Sequence, residues 1–238
     1  MFVIPMVGLS SRFFKAGYTV PKYQLLIDEI SVFFRVVDSF RAYFETDKFL
    51  FLCRPEYLTE AFVHNELERL GLLKYEIKIF DNETRGQAET VYLGTKDIEL
   101  EEQVYIFNID TFRPGFLKPD IISSCDGYLE VFDGEGDHWS FVLPGKNYEV
   151  QRTTEKERIS NLCSDGLYYF RSLQDFRLAF EAALSSNTTV RGEYYIAPLY
   201  NYLIQNQRRI LYKQINPNEV VFCGTPDEYK KLIESREI

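Results

Sequence analysis

Gly8, Leu9, Ser10, Ser11 and Arg12 close an apolar run, Phe2-Val-Ile-Pro-Met-Val7, and Lys22 follows one short loop later. A strand that stops at glycine can bring bare backbone against a ligand. The amides that follow can face an anion where a turn or helix begins. Arg12 and Lys22 then offer two cations of different shape, a planar fork and a point charge. Together these residues suit the triphosphate of a nucleotide. They are not a Walker P-loop, because no Gly-Lys-Ser/Thr follows the glycine. Further on, Asp110 comes straight after a second apolar run, 103–107. A strand-end aspartate can cap a turn, but its hard oxygens also suit the divalent cation that phosphoryl chemistry requires.

The elements that must place these residues follow from hydrophobic periodicity. Runs at 2–7, 48–53, 75–80 and 103–107 read as buried strands. Helical spacing covers 31–44, with Ser31 as a cap; 56–70, stopped by Gly71; and 86–98, opened by Gly86. Alternating strands and helices imply a parallel sheet covered on both faces, with ligands beyond the carboxyl ends of the strands. Gly8, Gly86 and Asp110 each lie after such a strand end. After about residue 120 the pattern changes. Strands are expected at 128–132, 138–143, 148–153, 166–170 and 209–214, and helices at 173–184, 193–205 and 227–234, the last capped by Thr225 before Pro226.

Composition excludes several classes. The net charge of −9 argues against a general nucleic-acid binder, which carries a basic face. The four cysteines are far apart with no Cys-x-x-Cys pair, so buried free thiols in a reducing cytosol are expected rather than a zinc framework. Only two histidines occur, and His64, in a charged helical context, reads as surface. The start Met-Phe-Val-Ile-Pro-Met has no cationic leader. No apolar run approaches the roughly 20 residues of a membrane span. The expectation is a soluble, cytoplasmic protein with no membrane span. Trp139, the only tryptophan, is expected in the core. The high aromatic content is compatible with a homo-oligomer.

Pro5-Met-Val-Gly8-Leu-Ser-Ser-Arg12-Phe, with Ala16-Gly-Tyr-Thr-Val-Pro21-Lys22, resembles the opening of the sugar-nucleotidyltransferase family. These are the nucleoside-diphosphate-sugar pyrophosphorylases of the glucose-1-phosphate thymidylyltransferase type. The resemblance continues through Gly86-Gln-Ala88, Asn108-Ile-Asp110, Glu155-Lys156, Gly166-Leu-Tyr-Tyr-Phe170 and Gly224-Thr-Pro226. It implies an α/β fold: a Rossmann-like, mostly parallel mixed sheet flanked by helices, with a smaller acceptor-binding β/α lobe. The expected organisation is one nucleotidyltransferase domain, with a nucleotide-binding half at 1–120 and an acceptor-binding half at 121–238.

The resemblance also implies roles. Gly8, Leu9, Ser10 and Ser11 would approach the nucleotide, and Arg12 and Lys22 would hold its phosphates. Gln87 and Ala88 would meet the base, and Asp110 would ligate Mg²⁺. Glu155 would bind acceptor hydroxyls, Lys156 the acceptor phosphate, and Gly166 would let the acceptor near the backbone. Taken alone, Glu155-Lys156 also reads as a solvated charge pair. The family usually has glycine where Ser10 stands, and an aspartate, the second metal ligand, where Phe222 stands. Phenylalanine cannot ligate a cation, so Asp227, Glu219 or Asp165 would have to substitute, or phosphates and water complete the shell, or catalysis is lost.

The implied reaction is transfer of NMP from an NTP (CTP, UTP or dTTP favoured) to a phosphorylated small molecule, foremost a sugar phosphate, in capsule or surface-polysaccharide precursor synthesis. Two alternatives are a cytidylyltransferase acting on a non-sugar phosphate and a nucleotide-sugar-binding protein without turnover. A third is a metal-dependent glycosyltransferase, suggested by Asn108-x-Asp110 and opposed by Lys22.

Overall fold

The structure, a computed structural model, describes residues 1–235. Strand β1 (Phe2–Pro5) leads through the glycine turn to a short helix α1 (Ser11–Lys15), then to a two-residue hairpin, β2 (Leu26–Ile27) and β3 (Ile30–Ser31). Helix α2 (Val32–Asp38) starts where expected, because the Ser31 hydroxyl accepts from the Phe34 amide at 3.0 Å. It stops well short of residue 44. The Ser39 hydroxyl bonds back to the Arg35 carbonyl and accepts from the Arg113 amide, so it competes with helix continuation. Strand β4 (Phe49–Cys53), helix α3 (Thr59–Leu70) and strand β5 (Tyr75–Ile79) follow. Gly71 ends α3 in the left-handed conformation, as expected.

Helix α4 (Gln87–Gly94) and strand β6 (Val104–Phe107) come next, then the short β7 (Thr111–Phe112). The second half supplies β8 (Gly127–Asp133), β9 (Ser140–Pro144), β10 (Val150–Glu155) and β11 (Leu162–Phe170). It ends with α5 (Leu173–Ser185), α6 (Tyr200–Gln205), β12 (Ile210–Gln214), β13 (Val221–Phe222) and α7 (Pro226–Ser235). The helix expected over 193–205 begins only at Tyr200. A 3₁₀ turn over Ala197–Leu199 carries Pro198, which lacks the amide that a longer helix would need.

The chain forms two compact units. The first comprises Met1–Val3, Glu83–Phe107 and Lys118–Pro217. Its sheet is mixed. β1 pairs β6 in parallel and β8 pairs β12 in parallel, while β11 runs antiparallel to β6, β8 and β9, and β9 runs antiparallel to β10. Helix α5 packs on β11, α4 and α6. The core is aromatic: Tyr105, Tyr128, Tyr169 and Tyr200 are fully buried, and the Tyr200 hydroxyl donates to the Tyr128 and Tyr169 carbonyls.

The second unit comprises Ile4–Asn82, Asn108–Leu117 and Asn218–Ile238. It holds the parallel pair β4–β5, the β2–β3 hairpin and the antiparallel pair β7–β13, with α2 packed on α3. The expected α/β class, a mixed sheet flanked by helices, is met. All four cysteines are buried and free, and His64 is exposed, bonded to the Tyr75 hydroxyl. Trp139 departs from the expected core position. It is half-buried, with its ring edge on Phe132 and its indole N–H on the Glu135 carbonyl. Among the described residues no helix is long and apolar enough to cross a membrane.

Candidate active site

In the second unit the glycine loop, Lys22 and Asp110 come together. The Met6 amide bonds the Leu52 carbonyl, which ties the start of the loop to β4. Ser10 sits at φ 50°, the left-handed region where glycine is the usual residue. Its hydroxyl accepts from the Lys22 amide at 3.2 Å, so the strained residue also fixes the distance between the two halves of the loop. Lys22 Nζ lies 2.6 Å from Asp110 Oδ2, both groups mostly buried. Arg12 is exposed on α1. That helix is only five residues long, so it supplies little macrodipole. Phe13 anchors α1 by packing edge-on to Tyr18 and to Tyr229 of α7, whose hydroxyl bonds the Leu26 carbonyl.

A cavity of about 410 Å³ opens beside the loop. Gly8, Leu9 and Ser11 form one wall, and Phe14 and Tyr57, stacked at 5.3 Å, form another. Arg54, held in a two-pronged bond by Glu56, contributes the polar edge. Nothing in the spacing of these residues marked Tyr57 as part of a site. It enters because Tyr57 and Leu58 both adopt positive φ, which turns the chain after β4 back toward the loop.

Asp110 lies at the turn from β6 to β7, and its carbonyl accepts from the Cys223 amide at the end of β13. Gly224 follows. A methyl group on its Cα would lie 2.8 Å from Asp110 Oδ2 and 3.7 Å from Glu228 Oε2. The bare glycine therefore leaves open a space flanked by two carboxylates. Cys223 reports the same neighbourhood. Burial pushes its thiol up to about 12, with the charges of Asp110 and Glu228 adding and Lys22 opposing. Thr225 and Glu228 form a reciprocal capping box: the Thr225 amide donates to Glu228 Oε2, and the Glu228 amide to the Thr225 hydroxyl. Glu228 escaped the sequence reading, although the Thr-x-x-Glu spacing was its signal.

The first unit places the remaining candidates. Gly86 has φ +112°, and a Cβ there would meet the Tyr194 carbonyl at 2.6 Å, so only glycine fits. Tyr194 pins this turn from both sides: its amide donates to Arg85 and its carbonyl accepts from Ala88. Ala88 is fully buried with its amide engaged, while Gln87 is half-buried. Glu155 ends β10 opposite Ser140, whose hydroxyl bonds its carboxylate. Burial raises the Glu155 pKa, against the pull of Ser140 and Lys156.

Lys156 is in the left-handed region at φ 57°, and its ammonium lies 3.8 Å from Glu155 and on Tyr195. With Glu155 buried and Lys156 mostly covered, this is not a solvated charge pair. Gly166 lies in a bulge of β11, and its amide bonds the Ser164 hydroxyl.

No family model matches the chain, and no curated protein matches it. Among solved structures, the nucleoside-diphosphate-sugar pyrophosphorylase from Vibrio cholerae RC9 is 48% identical with a TM-score of 0.94, covering 98% of this chain and 100% of that one. The chain belongs to the nucleoside-diphosphate-sugar pyrophosphorylase family. It is therefore an enzyme, a nucleotidyltransferase. Two further structures share the fold at 15% identity. A putative glucose-1-phosphate thymidylyltransferase from Bacillus anthracis has a TM-score of 0.78, covering 100% of this chain and 95% of that one. The CTP:phosphocholine cytidylyltransferase from Streptococcus pneumoniae has a TM-score of 0.73, covering 99% and 98%.

This pyrophosphorylase-family chain departs from the expected metal set at Phe222, which pairs with Thr111 across β13 and β7. Of the substitutes considered, Glu219 is paired with Arg113, Asp227 is exposed, and Asp165 is buried in β11 of the other unit, accepting from the Leu167 amide. Glu228 is the acid that faces the Gly224 space with Asp110. Among the described residues no group of three or more His, Cys, Asp or Glu could hold a metal. A two-carboxylate set still fits Mg²⁺, which keeps several waters and takes the rest of its shell from substrate phosphates.

Proposed function

We propose that the chain transfers NMP from an NTP to a phosphorylated acceptor, with a sugar phosphate as the acceptor class and pyrophosphate as the leaving group. An acceptor phosphate oxygen attacks the α-phosphorus, and the bond from that phosphorus to the β-bridging oxygen breaks. The nucleophile is already an anion at neutral pH, so the side chains need only position and neutralise. The observation that carries this reading is the Lys22–Asp110 pair set beside the Gly8–Ser11 loop.

Arg12, exposed on α1, takes the leaving β,γ-phosphates. Lys22, poised on Asp110, moves its bonds to the α-phosphate. Asp110 and Glu228 would hold Mg²⁺, whose positive charge would offset that of the reacting phosphates. Gln87, beside Ala88, supplies the amide for the base edge, with CTP, UTP or dTTP favoured. Glu155 binds acceptor hydroxyls, Lys156 the acceptor phosphate, and Gly166 gives the acceptor room. In this reading residues 1–120 do the nucleotide work and 121–238 the acceptor work, within one cytoplasmic enzyme of capsule or surface-polysaccharide precursor synthesis.

Asp110→Ala and Arg12→Ala should each lower turnover by about 10²–10³-fold in protein that still folds. Near-normal pyrophosphate release by either folded variant refutes the assignment. Phe222 favours a second reading, a nucleotide-sugar binder without turnover. Pyrophosphate release with each NTP against glucose 1-phosphate and phosphocholine separates the two.

A further inference from the structure

We propose that Tyr195 is the positioning residue for Lys156, presenting its ammonium to the acceptor phosphate through both the phenol ring and the hydroxyl. This rests on the reading of Lys156 as the acceptor-phosphate ligand. The ammonium lies 4.3 Å from the centroid of the Tyr195 ring and bonds the Tyr195 hydroxyl. A lysine tip has four rotatable bonds behind it, and a free one samples many positions. Here the backbone is already committed, with Lys156 in the left-handed region and its amide bonded to the Trp139 carbonyl at 2.8 Å. The hydroxyl and the ring edge that carries it then fix the far end.

Tyr195 is itself held rigidly. The preceding residue, Tyr194, is pinned by its backbone to Arg85 and Ala88, and Glu193 is bridged to Val190. Burial, with the Glu193 carboxylate adding, raises the Tyr195 pKa, so the group stays a phenol whose oxygen accepts from Lys156. Glu155, 3.8 Å away, is the only carboxylate ion-paired with this ammonium among the described residues, and its own oxygen is already bonded by Ser140. An incoming phosphate dianion thus meets an ammonium aimed by the Tyr195 hydroxyl and not locked into a tight ion pair. Consecutive residues serve two ends of the site: Tyr194 buttresses the Gln87 turn, and Tyr195 aims Lys156.

Two experiments test this. The first needs no turnover. In ¹³C-lysine NMR spectra, the Lys156 ε-methylene, assigned by its loss in Lys156→Ala, should be displaced by the Tyr195 ring current. Tyr195→Ala should abolish that shift, and inorganic phosphate should perturb it in the wild type. An unshifted wild-type resonance, or one that survives Tyr195→Ala, overturns the proposal.

The second is a kinetic cycle with glucose 1-phosphate and phosphocholine as acceptors. Tyr195→Phe should raise acceptor KM about tenfold and Tyr195→Ala roughly tenfold more, with KM for the NTP unchanged. In the Lys156→Ala background neither should cost anything further. Additive losses, or equal losses for both substrates, mean that Tyr195 does not act through Lys156. If the wild type shows the ring-current shift yet releases no pyrophosphate with any NTP and acceptor, the transferase reading falls, and the acceptor role with it, while the Lys156–Tyr195 pairing stands.

Discussion

Gly224→Ala is the most informative single perturbation of the candidate metal site. Gly224 does not occupy a left-handed conformation, so alanine meets no backbone penalty, and the whole effect comes from one methyl group. That methyl would lie 2.8 Å from Asp110 Oδ2 and 3.4 Å from Asp110 Cγ. An ordinary carbon–oxygen contact is about 0.5 Å longer. The Asp110 carboxylate must therefore rotate or retreat by roughly that much, and its 2.6 Å bond to Lys22 cannot survive unchanged. Overpacking of this kind costs about 1–3 kcal/mol. Asp110 is partly exposed and can yield, so the lower end, about 1 kcal/mol, is expected. The effect on function should be larger, because displacing a catalytic group by up to about 1 Å can cost around 10²-fold in rate.

The assays are calorimetric melting, pyrophosphate release, and Mn²⁺ titration followed by electron paramagnetic resonance in the presence of NTP. The expected result is a melting point lowered by a few degrees, turnover down about 10²-fold, and weakened Mn²⁺ binding. If turnover and Mn²⁺ affinity both stay within twofold of wild type, the space between Asp110 and Glu228 is not where the cation sits, and that reasoning fails.

Two further predictions concern charge and strain. Burial raises the Glu155 pKa, so the folded chain holds that proton more tightly than the unfolded one. The stability this contributes is present below the unfolded value near 4.5 and is lost as pH rises through the folded value. Glu155→Gln should therefore melt higher than wild type at pH 7 and show a flatter profile between pH 5 and 8, while raising acceptor KM; equal slopes in the two melting profiles would contradict it. At Ser10, alanine keeps the left-handed strain and loses the bond to the Lys22 amide, costing about 1 kcal/mol. Glycine loses the same bond but relieves roughly 1 kcal/mol of strain, so Ser10→Gly should be near neutral by denaturant melting. A Ser10→Ala variant as stable as Ser10→Gly would show that the left-handed strain carries no weight.

Local signals were read well where a single residue decides the backbone. Ser31 caps α2, Gly71 ends α3, and Thr225 caps α7, because each acts through neighbours within four positions. The same method overran wherever a distant partner intervened. Ser39 ends α2 with help from Arg113, and the backbone at Tyr194 stays out of a helix because it is engaged by Arg85 and Ala88. Strand β11 is nine residues long, although Ser164-Asp-Gly166 looks like a turn, because its bulge absorbs the polar residues against β8.

The chain by itself determined the α/β class, the Gly8–Arg12 loop with Lys22 after it, and the placing of Asp110 after a strand end. Each depends on residue type and short-range spacing, which the sequence carries directly. Only the tertiary structure decided that Lys22 rests on Asp110, that Glu228 faces the Gly224 space, and that Tyr57 and Tyr195 join their sites. Those contacts join residues up to 118 positions apart in number, counting from Asp110 to Glu228 (228 − 110). No periodicity links such positions, since packing of the folded units alone brings them together.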